Sequence, residues 1–348
     1  MTFAVRLPRA SYSLAKPPDF TVTPSFGLPT AGAMMWLSQL AYEAHDRDET
    51  KVLAVLEQWK LTQKARFNRH EAGLVDTDGL IVTTPDATIV AFAGTDPLVA
   101  RDWLTDLNTK PSDDDIHTGF QEGAASVWES TIKPAIRESA DAGRLIFITG
   151  HSLGGALAVV AAWFSLQDHL PIAGVYSFGM PRCLGTTIIG EYESALGART
   201  YRLVHGGDVV PTLPPSDFGF SHVGRLLRCP RDGRFDARSL ATALSDEPDV
   251  LHLQNFMLLQ HRLHLPGLGN LGDAVHGSSL FVAALKPLVG AYLSLLERIE
   301  EDIEKSVGKL ESEPSQDLLR EVVRLLPPPI GDHLPPRYLR ALGFDLKI

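Results

Sequence analysis

The sequence is poor in cysteine: its 348 residues include only Cys183 and Cys229, which are not arranged as a C-x-x-C pair. Two cysteines in a chain of this length do not form the disulfide framework on which small secreted domains depend. We therefore expect free thiols. Hydrophobic residues make up 44% of the chain, which is enough to build a sizeable core without cross-links.

Basic residues are also scarce. Lys and Arg number 32 against 42 Asp and Glu, so the formal net charge is -10. Proteins that follow nucleic-acid phosphates draw most of their affinity from Lys and Arg, and no Lys/Arg-rich run is present here. The composition therefore excludes a nucleic-acid partner.

Long apolar runs are missing as well. The most apolar late stretch, "SSLFVAALKPLVGAYLSLLE", is interrupted at Lys286-Pro287 and at Gly290, before it reaches the ~20 residues that a bilayer span requires. The first twenty residues lack the apolar core of a secretory signal and contain Pro8, Pro17 and Pro18. We therefore expect a cytoplasmic protein; the alternatives are a chain whose leader has already been removed and secretion by another route.

Short apolar strands and helical patterns alternate through the middle of the chain. Strand patterns occur in "GLIVTTPDATIVAFAG", "RLIFITG", "GVYSFG" and "TYRLVHGGD", and helical spacing separates several of them. This order predicts an α/β fold with a mostly parallel sheet flanked by helices. We expect an N-terminal extension over residues 1–29, a catalytic domain over 30–296, and a helical, proline-rich C-terminal extension over 297–348.

Ser152 lies among glycines in "LIFITGHSLGGALA", where a strand pattern runs directly into a helix pattern. The G-x-S-x-G spacing is typical of a nucleophile elbow, in which a sharp turn needs small residues at Gly150 and Gly154. The N–H of Leu153 would then lie at a helix N-terminus, free to stabilise an oxyanion. The alternative is a plain serine N-cap.

A nucleophilic serine needs a base and an acid. Asp208 follows an apolar strand in "YRLVHGGDVVPTLPP", at the edge where α/β sheets carry their sites, although Asp after Gly-Gly also closes turns. Six histidines follow it: His222, His252, His261, His264, His276 and His333. His276 is the preferred base because it lies in a glycine-bracketed loop before an apolar helix. His222 is the rival, and the spacing of His252, His261 and His264 matches no metal motif.

Several segments resemble the class 3 lipases, the fungal-type triacylglycerol lipase family with an α/β-hydrolase fold. They are "TIVAFAGTD", "RDWLTDL", "IHTGFQEGA", "ITGHSLGGALA", "YSFGMPRCLG" and "VHGGDVVPTLPP", in the family's order. The resemblance implies that Ser152 is the nucleophile, Asp208 the acid and His276 the base of a lipase or carboxylic ester hydrolase. It also implies that the N–H groups of Thr95 and Leu153 form the oxyanion hole.

The resemblance further implies a lid in "DPLVARDWLTDLN", whose apolar residues suit a short amphipathic helix and a transient contact with a lipid surface. The alternative is a surface helix whose apolar stripe packs on the core. The family usually has arginine where this chain has Ala93. The expected substrate is an acylglycerol or another lipid ester, and the chemistry needs neither a metal nor an organic cofactor. A phospholipase or acyltransferase would use the same site, and the alternative outside enzymes is an inactive lipase-like scaffold.

Overall fold

The computed structural model describes most of the region in which strand and helix patterns alternate. The described residues are 6–13, 25–45, 49–69, 77–94, 112, 115–214, 216–241 and 331–346. The strands are β1 Thr62–Arg69, β2 Thr77–Thr83, β3 Ala87–Phe92, β4 Leu145–His151, β5 Gly174–Phe178, β6 Leu184–Gly185, β7 Thr200–His205, β8 Phe220–Ser221 and β9 Arg225–Cys229. The α-helices are α1 Arg9–Tyr12, α2 Leu28–Ala41, α3 Thr50–Gln58, α4 Thr118–Val127, α5 Lys133–Asp141, α6 Leu153–Gln167, α7 Ile189–Leu196 and α8 Pro335–Ala341.

The main sheet has the strand order β1-β2-β3-β4-β5-β7-β9. The first three strands pair antiparallel, and those from β3 to β9 pair parallel. The carboxyl ends of β4, β5, β7 and β9 therefore meet at one edge, where the loops that follow them can combine their side chains. The prediction of a mostly parallel sheet flanked by helices is confirmed. Strands β6 and β8 form a separate small pair.

Hydrophobic cores cover both faces of this sheet. In β3, Ile89 and Ala91 face one core, and Val90 and Phe92 face the other, because successive side chains of a strand point to opposite faces. Helices α2, α3 and α8 contribute to the first core. Helices α4, α5, α6 and α7 contribute to the second.

Both of the expected terminal extensions contribute to the first core. Leu7 and Tyr12 are fully buried in it, although they fall within the extension expected over 1–29. Tyr338 and Leu339 are also fully buried there, although they fall within the extension expected over 297–348. The boundaries drawn from the sequence therefore separate segments that pack together in the structure.

The two cysteines are buried and unpaired, as expected. Burial raises the pKa of the Cys229 thiol to about 12, so this thiol stays protonated at neutral pH. In the described part of the chain, none of the helices has the length and apolar character needed to span a lipid bilayer.

Candidate active site

Ser152 occupies the sharp turn between β4 and α6, with a backbone φ of 59° and ψ of -132°. The flanking glycines make this turn possible. A Cβ on Gly150 would collide with the backbone of Gly154, and one on Gly154 would lie 2.6 Å from the carbonyl oxygens of Phe92 and Ala93. The strained turn therefore holds the serine at the carboxyl edge of the sheet, as expected for a nucleophile elbow.

A histidine bridges Ser152 and Asp208, and it is His333. Its Nε2 lies 2.8 Å from Ser152 Oγ, and its Nδ1 lies 2.8 Å from Asp208 Oδ2. Because the carboxylate can only accept, Nδ1 carries the hydrogen and Nε2 accepts from the serine hydroxyl. All three side chains are buried, so bulk water does not compete with these bonds.

The position expected for His276 is thus filled by His333, and His276 itself lies outside the described residues. The rival His222 directs its Nε2 at the carbonyl oxygen of Pro211, 2.6 Å away, rather than at Ser152. Residues 252, 261 and 264 lie outside the described residues as well. We therefore replace His276 by His333 as the candidate base.

Asp208 accepts two further hydrogen bonds that fix its carboxylate. The N–H of Val210 donates to Oδ1 at 2.9 Å, and the hydroxyl of Tyr338 donates to Oδ2 at 2.6 Å. Burial and the neighbouring Asp208 hold the pKa of Tyr338 well above its usual value, so its hydroxyl remains a donor. Gly179 leaves the space for this group, since a Cβ there would lie 2.5 Å from Asp208 Oδ2.

The segment that carries His333 is attached to the loops after β7 and β9. The carboxylate of Asp332 accepts from the Gly207 N–H at 2.8 Å and from the Nε of Arg231 at 2.9 Å. The imidazole of His205 lies between the carbonyl oxygens of Asp332 and Arg231. Asp332 and Tyr338 were not predicted from the sequence as site residues. Asp332 binds the loop that carries Asp208, and Tyr338 binds Asp208 itself.

The expected oxyanion hole is partly described. Leu153 is the first residue of α6, where a backbone N–H has no intrahelical acceptor and lies at the positive end of the helix dipole. Thr95 lies outside the described residues, as does the expected lid over 96–108. Gly94, the residue before Thr95, lies against the elbow: a Cβ on Gly94 would be 3.0 Å from Ser152 Cβ. The end of β3 therefore leads the chain to Ser152 just before Thr95.

We expect Tyr338→Phe to lower kcat/KM for a soluble ester by about 10-fold at neutral pH. The phenol is one of the two further donors that fix the Asp208 carboxylate, and without it the carboxylate holds the His333 imidazole less precisely beside Ser152 Oγ. The measurement is kcat/KM for a soluble ester at neutral pH.

Tyr192→Phe is the matched control, because its buried hydroxyl bonds Thr200 at 3.1 Å and does not contact the Ser152, His333 or Asp208 side chains. Both substitutions remove one buried hydroxyl, and Tyr338→Phe also leaves the His205 N–H without its partner at 3.2 Å. We expect both variants to lose stability, by about 1–3 kcal/mol at most. A kcat/KM in Tyr338→Phe equal to that in Tyr192→Phe would contradict this role of the phenol.

The open, mostly parallel sheet and the elbow define an α/β-hydrolase fold, and the carboxyl edge of the sheet carries the Ser-His-Asp arrangement. Two solved structures support this fold at low sequence identity. One is the mono- and diacylglycerol lipase of Aspergillus oryzae, with a TM-score of 0.53 and 22% identity; the match covers 63% of this chain and 86% of that one. The other is the lipase of Rhizopus microsporus var. chinensis, with a TM-score of 0.52 and 21% identity; the match covers 73% of this chain and 91% of that one.

Within this fold the chain is similar to the lipase (class 3) family, whose model matches residues 89–218. The matched segment runs from β3 through the elbow to the acid loop, and so includes Ser152 and Asp208. A secreted mono- and diacylglycerol lipase of Fusarium solani is 34% identical over 158 residues, which cover 41% of this chain and 45% of that relative. The resemblance drawn from the sequence is confirmed.

The comparisons correct the expected location. The Fusarium solani relative and similar proteins of Malassezia globosa and Penicillium cyclopium are named as secreted lipases, so the prediction of a cytoplasmic protein is wrong. This chain spans about half the length of the curated relatives that it matches.

Proposed function

We propose that this protein is a serine hydrolase that cleaves the ester bonds of acylglycerols. The observation that carries the proposal is the position of the His333 imidazole, 2.8 Å from both the Ser152 hydroxyl and the Asp208 carboxylate. The match to the lipase (class 3) family model and the lipase names of the relatives support the substrate class. The secreted relatives support an extracellular setting for this activity.

In the first half of the reaction, Ser152 Oγ attacks the ester carbonyl carbon while His333 Nε2 takes up the hydroxyl proton. Asp208 stabilises the resulting imidazolium through Nδ1. The Leu153 N–H, together with that of Thr95, donates to the oxyanion, and each such donor contributes about 3–4 kcal/mol in related enzymes. His333 then protonates the leaving alcohol, which leaves an acyl-enzyme on Ser152.

Water completes the cycle. His333 removes a proton from the water molecule as its oxygen attacks the acyl carbon, and the same N–H donors bind the second oxyanion. Collapse of this intermediate releases the fatty acid and returns the proton to Ser152 Oγ. Because Ser152 is 1% exposed, the ester reaches it only after a displacement of the surrounding chain. We predict that the segment displaced is the expected lid over residues 96–108.

A fluorophosphonate that resembles the tetrahedral intermediate tests the proposal. We expect it to add covalently to one serine, Ser152, and the site can be located by peptide mass spectrometry. Hydrolysis of mono-, di- and triacylglycerols, together with p-nitrophenyl esters of increasing chain length, then defines the substrate. A protein that neither reacts with the phosphonate nor hydrolyses any of these esters would be the inactive scaffold, and the proposal would be wrong.

A further inference from the structure

His151 precedes the nucleophile in the elbow, and its side chain leads away from Ser152 to the backbone of His333. It is the last residue of β4 and is fully buried. Its Nε2 lies 2.7 Å from the carbonyl oxygen of His333, and its Nδ1 lies 2.8 Å from the Tyr42 hydroxyl. The rings of His151 and His333 are also in contact, with centroids 4.7 Å apart.

The partners of His151 fix its tautomer. A carbonyl oxygen only accepts, so Nε2 carries the hydrogen and donates it to His333. In the neutral ring Nδ1 then accepts from the Tyr42 hydroxyl. Burial and the adjacent His333 imidazole hold the pKa of His151 well below its usual value, so this ring stays neutral while His333 takes up and releases its proton.

The His333 carbonyl needs this donor. His333 lies one residue before Leu334, the N-cap of α8, so its carbonyl lies outside the hydrogen-bond ladder of that helix. A buried carbonyl without a donor is costly, and the backbone would shift to find one. The dipeptide His151-Ser152 thus contacts the same histidine twice: His151 binds its backbone, and Ser152 binds its ring.

We propose that His151 is a positioning residue that sets the distance between the His333 imidazole and Ser152 Oγ by holding the His333 carbonyl. The inference rests on the proposed function and deepens it, because it assigns a role to a residue outside the Ser-His-Asp arrangement. A shift of the base by 1 Å costs about 100-fold in rate, so loss of this bond should lower kcat by that order. KM should change little, since His151 is fully buried and its Nε2 faces the His333 backbone rather than Ser152 Oγ.

Two amide substitutions separate the two bonds. His151→Gln places its amide where Nε2 lies and keeps the donor to the His333 carbonyl. His151→Asn reaches only the position of Nδ1 and keeps the contact with Tyr42. With a soluble short-chain ester, and with active sites counted by phosphonate titration, we expect kcat to fall about 100-fold in His151→Asn but less than about 5-fold in His151→Gln.

Equal losses in the two variants, or an unchanged kcat in His151→Asn, would overturn the inference while wild-type turnover upholds the proposed function. An inactive wild-type protein would overturn both. If neither amide variant folds, Tyr42→Phe carries the test, because it removes the donor to Nδ1 and keeps the ring packing. We then expect kcat to fall several-fold at unchanged KM, and an unchanged kcat would contradict the inference.

Discussion

His333→Ala is expected to lower kcat for a soluble ester by roughly a millionfold, the loss found when the base of a serine hydrolase is removed. The structure provides one imidazole between Ser152 and Asp208, and both of its nitrogens are engaged there. Without it, the serine hydroxyl has no acceptor for its proton and remains a weak nucleophile. The measurement is single-turnover hydrolysis of a p-nitrophenyl ester, with thermal unfolding recorded in parallel.

His276→Ala is the informative partner of this variant. The sequence pattern favoured His276, whereas the space between nucleophile and acid is filled by His333. We therefore expect His276→Ala to retain kcat within about threefold, as residues without a part in the chemistry usually do. A loss in His276→Ala comparable to that in His333→Ala would restore His276 as the base and contradict the present assignment.

His222→Ala gives a second control with a different expected outcome. The His222 ring donates to the Pro211 carbonyl in the loop after Asp208, so its removal leaves a buried carbonyl unpaired. We expect a loss of stability of about 1–3 kcal/mol together with a modest fall in kcat. We thus expect the lowest kcat in His333→Ala, a modest loss in His222→Ala and little change in His276→Ala. This order distinguishes the base from a residue that supports the loop and from one without a part in the chemistry.

The nucleophile and the acid could be predicted because local sequence determines their surroundings. The glycines around Ser152 are needed within the turn itself, and Asp208 follows its strand by three residues, so each signal lies within a short window. The base has no such window. His333 is separated by 181 residues from Ser152 and by 125 from Asp208, and only tertiary packing brings it to them.

His333 meets only part of the criterion that favoured His276, because no glycine follows it before the helix. It follows Gly331 in a short segment just before a helix, α8, whose buried residues include Tyr338 and Leu339. His333 was among the six histidines that follow Asp208, but the proline-rich sequence around it gives no periodic sign that the segment packs into a core.

Strand β1 was missed for a different reason. It lies at the edge of the sheet, and its sequence "TQKARFNR" buries Phe67 but carries polar or charged residues at most other positions. An edge strand is paired on one side only, and polar side chains protect it from association. Its apolar alternation is therefore too weak to predict a strand from the sequence, whereas the continuous apolar runs of the central strands β3 and β4 predict them.

Ser152→Ala should abolish turnover and phosphonate labelling, with kcat lower by roughly a millionfold. The substitution keeps the Cβ that the turn already accommodates and removes one buried hydroxyl, so we expect stability to change by no more than about 1 kcal/mol. The measurement combines ester hydrolysis, labelling read by mass, and thermal unfolding. Turnover near the wild-type level in this variant would disprove the assignment of the nucleophile.

Ser152→Gly extends the argument from activity to strain. A non-glycine residue in the backbone conformation of Ser152, with φ of 59° and ψ of -132°, stores on the order of 1–3 kcal/mol. Glycine adopts this region freely, so the inactive Ser152→Gly variant should unfold at a higher temperature than Ser152→Ala. A higher unfolding temperature in Ser152→Gly would mean that the elbow lowers the stability of the protein. The backbone turn that strains the chain is also the one that places Ser152 Oγ beside His333. Equal unfolding temperatures in the two variants would contradict the presence of backbone strain at Ser152.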